Sequence, residues 1–207
     1  MKKIIFLFFM INLMIFGAFA DVSYVFKGGY APLGFYTETV GENESKTTLS
    51  NSLSAFAELQ ARSNLLENFY YGGGIGYLSS GTLGEALLGS DKLGVDYYPI
   101  YLMFQYEPQS YHYSDLLMYF NFRYGFSYEV DRGRIKESAG FPTSYSTASP
   151  YGGISWGFEK AGFLLEAFYD FNVGASANLT NSTGETLIMN SRRIGLNLGY
   201  RVNNGNR

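Results

Sequence analysis

The stretch LLMYFNFRYGFSY, residues 116–128, decides the fold. Leu116, Met118, Phe120, Phe122, Tyr124, Phe126 and Tyr128 fall on one side of an extended chain, and Leu117, Tyr119, Asn121, Arg123, Gly125 and Ser127 fall on the other. Successive side chains of a strand point to opposite faces, so this period of two marks a β-strand with one apolar face.

The same alternation recurs outward along the chain. Ile194, Leu196, Leu198, Tyr200 and Val202 alternate with Arg193, Gly195, Asn197, Gly199 and Arg201. Phe163, Leu165, Ala167, Tyr169 and Phe171 alternate with Leu164, Glu166, Phe168, Asp170 and Asn172. Leu53, Ala55, Ala57, Leu59 and Ala61 oppose Ser54, Phe56, Glu58, Gln60 and Arg62. Strands are predicted at Val22–Thr37, Ser52–Arg62, Phe69–Ser79, Asp96–Tyr106, Leu116–Tyr128, Pro150–Phe158, Gly162–Val173 and Leu187–Val202.

The connections alternate in length. Long polar stretches at Glu38–Asn51, Ser80–Val95, Glu129–Ser149 and Gly174–Thr186 are interleaved with short links at Ser63–Asn68, Glu107–Asp115 and Glu159–Ala161. Long outer loops and short periplasmic turns characterise outer-membrane barrels. The expected fold is therefore all-β: an eight-stranded antiparallel up-and-down transmembrane β-barrel with both termini on the periplasmic side. Gly84–Gly89 is expected to make a single helical turn in the second long loop.

Composition agrees. Charged residues are 16% of the chain and aromatic residues 18%, with 19 Tyr, 18 Phe and one Trp. Soluble domains average about 25% charged residues, and so apolar a chain would struggle to cover a surface facing water. The formal charge of −3 and the lack of a basic patch exclude a nucleic-acid partner. Cysteine is absent, which removes disulfides, thiolate chemistry and a lipid-modified anchor.

Residues 1–20 are a signal peptide by their pattern. Lys2 and Lys3 precede the apolar run Ile4–Phe16, and Ala18-Phe19-Ala20 forms a small-x-small cleavage site. Asp21 then begins an outer-membrane β-barrel domain at 21–207, exported to the outer membrane.

An eight-stranded barrel has an interior just wide enough for side chains to fill. Large aromatics on every strand would overfill it, so the apolar face is expected outside, against lipid. Tyr128, Trp156 and Tyr200, toward strand ends, suit aromatic girdles at the headgroups. The inner face then holds a charge network of Lys27, Glu58, Arg62, Arg123, Glu166, Asp170, Arg193 and Arg201. Buried charges require partners, and Lys27–Glu58 and Asp170–Arg193 fall at similar heights on neighbouring strands as predicted pairs. Gly72, Gly73, Gly74 and Gly76, with Gly152, Gly153 and Gly157, leave room beside bulky neighbours.

The segments YYPIYLMFQYEP (97–108), MYFNFRYGFSY (118–128), PYGGISWGFE (150–159) and RRIGLNLGYRV (192–202) resemble small outer-membrane β-barrel-domain proteins. The size is similar to that of the OmpW, OmpX and OmpA-transmembrane barrels. The resemblance spans 21–207 and rests on pattern, so it carries over no functional residue. It implies outer-membrane lipid and the barrel-assembly machinery as partners. Such barrels often end on an aromatic that the machinery reads, whereas here Arg201–Arg207 continue past Tyr200.

No catalytic constellation is evident, and the chain is not expected to be an enzyme. The single histidine, His112, reads as a solvated turn residue among Tyr111, Tyr113 and Asp115. Glu166 and Asp170 share a strand face but fit structural pairing with arginine better than acid–base work. No metal or cofactor is expected. Arg132, Arg134 and Lys136 make a basic cluster in the third long loop, suited to contact with acidic lipopolysaccharide or host glycans. The leading functional expectation is a structural or surface-interaction, adhesin-like barrel that meets host or envelope components through its outer loops. The alternatives are a porin-like narrow channel for small or hydrophobic solutes and a soluble lipocalin-like carrier.

Overall fold

A computed structural model describes residues 22–40, 43–49, 52–63, 66–79, 95–108, 116–131, 146–180 and 186–203. The expected signal peptide at 1–20, the 84–89 segment, His112 and the Arg132, Arg134 and Lys136 cluster lie outside them. Among the described residues there are nine strand segments: β1 (Val22–Val40), β2 (Asn43–Leu49), β3 (Ser52–Arg62), β4 (Phe69–Ser79), β5 (Val95–Tyr106), β6 (Leu116–Asp131), β7 (Ser146–Lys160), β8 (Phe163–Thr180) and β9 (Thr186–Asn203).

Each strand pairs antiparallel with its neighbour, and β1 pairs with β9 to close the sheet. β2 and β3 line up along successive parts of β1: Gly34–Val40 pairs with β2, and Val22–Ala31 pairs with β3. They therefore form one stave, and the closed barrel has eight staves. The β1–β9 register shifts between Tyr30 and Leu33, where Pro32 offers no N–H to the ladder.

Of the eight predicted strands, two keep their bounds and six are longer or shifted at the ends, with most of the difference at one end of the barrel. β3 and β4 have the predicted bounds. The Glu38–Asn51 connection, expected as a loop, is largely a hairpin of β1 and β2. β6, β7 and β8 likewise extend into stretches expected as loops. Hydrophobic alternation stops where a strand leaves the apolar band, although backbone pairing continues beyond it.

At the opposite end β7 and β8 are joined by a tight turn. Ala161 and Gly162 have φ of 50° and 85° between β7 and β8, as a two-residue hairpin requires. The Arg201 N–H donates to the Gly162 carbonyl at 2.8 Å. The turn thus sits at Ala161–Gly162 rather than Glu159–Ala161, and Glu159 belongs to β7. Val22 and Asn203 lie at this same turn end, since Ser23 pairs with Asn203.

The barrel is apolar outside and polar inside. Phe126 and Leu198 are 63% and 68% exposed, whereas Lys27, Glu58, Arg123, Glu166 and Asp170 are buried. Such an outer face suits hydrocarbon, and closure leaves no strand edge to satisfy there. A soluble lipocalin-like carrier requires the reverse polarity.

Candidate functional site

Five ionic side chains, none more than 1% exposed, meet inside the barrel. Lys27 on β1 lies 3.1 Å from Glu58 on β3 and 2.7 Å from Glu166 on β8. Arg123 on β6 pairs with Glu166, lies 3.3 Å from Asp170 and places Nε 3.5 Å from Glu58. Its guanidinium also stands 4.9 Å from the centre of the Phe56 ring.

Neutral donors complete the shells of both glutamates. Glu166 accepts from Lys27, Arg123, Asn197 Nδ2 at 2.8 Å and the Tyr119 hydroxyl at 3.3 Å. Those bonds fill the acceptor sites of a carboxylate. Glu58 accepts from Lys27, from Gln60 Nε2 at 2.9 Å and from the Tyr101 hydroxyl at 2.9 Å. The cluster connects β1, β3, β5, β6, β8 and β9 across the lumen, where water is scarce and partial satisfaction is costly.

A single spatial device repeats three times. Along the register, Glu58 faces Gly74, which faces Tyr101. Glu166 faces Gly157, which faces Tyr119, and Asp170 faces Gly153, which faces Arg123. In each row a carboxylate meets its donor across a glycine on the intervening strand. A Cβ on Gly74 would stand 2.7 Å from the Tyr101 ring, one on Gly157 2.6 Å from the Tyr119 ring, and one on Gly153 2.3 Å from Asp170 Oδ1. The missing side chains create the passages through which the polar groups meet.

The expected network is thus distributed unevenly. Lys27, Glu58, Arg123, Glu166 and Asp170 come together. Arg201 lies toward the turn end, with Nε 2.9 Å from Glu159, in a separate group. Arg62 is a correction: it is exposed, because it is the last residue of β3 and lies at the rim. The predicted Asp170–Arg193 pair is a second correction. The two residues are register partners, but the Asp170 carboxylate bonds Arg123, and Arg193 lies 4.7 Å above the Tyr97 ring. Neighbouring register does not decide pairing where side chains converge on a barrel axis.

Tyr101, Tyr119, Gln60 and Asn197 join the network beyond the charged residues expected from the sequence. Their inward parity and the glycines opposite the two tyrosines were the available signals. Among the described residues, no group of three or more His, Cys, Asp or Glu side chains is placed to hold a metal ion.

An antiparallel barrel with an apolar exterior and an ion-paired lumen defines the class of small outer-membrane-type β-barrels. No protein-family model matches the chain, and no curated protein sequence does. Among solved structures it is similar to Neisserial surface protein A, with a TM-score of 0.50 and 12% identity over 86% of this chain and 96% of that one. Ail, the attachment invasion locus protein of Yersinia pestis, aligns with a TM-score of 0.43 and 12% identity over 87% of this chain and 98% of that one. The outer membrane protease OmpT of Escherichia coli aligns at 0.44 and 10% identity over 89% and 98% of the respective chains. At these identities the likeness concerns fold.

Proposed function

We propose that this chain is an outer-membrane barrel with periplasmic termini whose outer loops, rather than its lumen, form the working surface. Its role is structural or adhesin-like. The observation that carries this reading is the cluster of Lys27, Glu58, Arg123, Glu166 and Asp170, buried side chains from four strands that bond one another inside the barrel. A solute would have to separate charges whose uncompensated burial costs several kcal/mol per ion.

The loop containing Arg132, Arg134 and Lys136 is proposed to contact a polyanionic envelope or host component, and the apolar wall to contact outer-membrane lipid. Delivery there would involve the signal peptide and the barrel-assembly machinery. Reconstitution in planar bilayers tests the closed lumen. The expected result is no steady single-channel current; regular conductance steps would favour the narrow-channel alternative. Vesicles bearing lipopolysaccharide test the loop, with Arg132→Gln, Arg134→Gln and Lys136→Gln combined expected to weaken binding about a hundredfold if each contact contributes about 1 kcal/mol. Equal binding by the variant would remove the loop from the reading.

A further inference from the structure

The outer wall is not uniform. A groove of about 630 Å³ lies in it, lined among others by Phe104, Phe120, Phe122, Trp156, Ala167 and Tyr169. The register explains the depression. Phe120, Trp156 and Ala167 stand in one row across β6, β7 and β8, with Leu196 next on β9. Ala167 is the small member of that row, so a lipid-facing surface is notched between large side chains.

Lys160 lies on the same outward parity of β7 as Trp156, four residues nearer the tight turn, and is exposed. Phe158 stands between them, its ring 5.0 Å from that of Trp156. Among the described residues, Lys160 has no acidic partner. Adjacent Glu159 points into the lumen toward Arg201. Four residues span about 13 Å of strand, or about 10 Å of depth at the usual barrel tilt. An ammonium at headgroup level and an apolar notch about 10 Å deeper match the phosphate and acyl chain of one lipid.

We propose that this groove and Lys160 bind one anionic glycerophospholipid, with an acyl chain over Ala167 and its phosphate at the Lys160 ammonium. The proposal rests on the periplasmic placement of the turn end. A lipid entering from the loop end would meet the groove only after crossing most of an apolar band about 25 Å tall, which favours a phospholipid of the periplasmic leaflet over lipopolysaccharide.

The test uses the full folded barrel in mild detergent, offered phosphatidylglycerol, phosphatidylethanolamine or lipopolysaccharide and examined by native mass spectrometry. One retained phosphatidylglycerol per barrel is expected, in preference to phosphatidylethanolamine. Lys160→Gln should reduce that preference about fivefold, as about 1 kcal/mol for one lysine at a lipid surface predicts. Ala167→Phe should abolish the adduct by filling the notch, and Ala167→Leu makes the same test if the larger ring impairs folding. Equal retention of both phospholipids, preference for lipopolysaccharide, or unchanged adducts in the variants would overturn the proposal. Heat-modifiable gel mobility and outer-membrane fractionation of the same samples report the barrel reading separately.

Discussion

Arg123 and Arg193 occupy the same register row, Arg123–Gly153–Asp170–Arg193, and both are buried in the lumen, yet their surroundings differ. Arg123 reaches Glu166, Asp170 and Ser155 and lies over Phe56. Arg193 lies over Tyr97, and among the described residues none of its three guanidinium nitrogens has a hydrogen-bond partner. Asp170 stands between the two arginines and bonds the more distant one. Gly153 opens that path, and Arg123 already sits among other acids. Inside a narrow barrel, the space left by an intervening residue selects the partner.

The largest effect is expected where most bonds converge. Glu166→Ala removes an acceptor shared by Lys27, Arg123, Asn197 and Tyr119 and leaves both cations undercompensated. A loss of about 3–5 kcal/mol is expected. Urea unfolding in detergent micelles can follow it through Trp156, the chain's one tryptophan. A loss below about 1 kcal/mol would mean that the cluster does not hold the barrel together.

Asp170→Ala comes next. It removes one charged acceptor from Arg123 while Glu166 remains, so about 1.5–3 kcal/mol is expected from the same unfolding measurement. An unchanged midpoint would show the Asp170–Arg123 bond to be incidental.

Gly153→Ala tests the passage itself. The added methyl would stand 2.3 Å from Asp170 Oδ1 and force the carboxylate away from Arg123. Overpacking of this kind costs about 1–3 kcal/mol. Combined with Asp170→Ala, the two losses should fall short of additive, because the second removes the group that the first displaces. Full additivity would separate the glycine from the ion pair.

These distinctions mark what was legible in the sequence. Period-two alternation in LLMYFNFRYGFSY identifies both the strand and its inward Arg123. The bounds of β3 and β4 follow from the same pattern because apolar alternation and backbone pairing end together there. At the loop end they part: Thr37, Thr39 and Lys46–Thr48 continue the ladder, but their sequence is polar without alternation, so no contrast marks the strand. For the lumen, parity identifies who faces inward, but partner choice depends on convergence across the axis. Lys27 and Glu58, close to one another in register as Lys27↔Phe56 and Val25↔Glu58, do meet. Asp170 and Arg193, directly opposite, do not bond.

The smallest effect is expected at Arg193. Its cation is stabilised by the Tyr97 ring, an interaction of about 0.5–2 kcal/mol, while the buried guanidinium bears a desolvation cost that no hydrogen bond from its nitrogens to the described residues offsets. Methionine retains much of the length and apolar stem but introduces no charge. Arg193→Met should therefore change unfolding stability by less than about 1 kcal/mol, whereas Arg123→Met should lower it by about 3–5 kcal/mol because Glu166 and Asp170 lose their shared cation. Equal losses from the two substitutions would erase the contrast between these arginines and return Asp170 to being a partner of both.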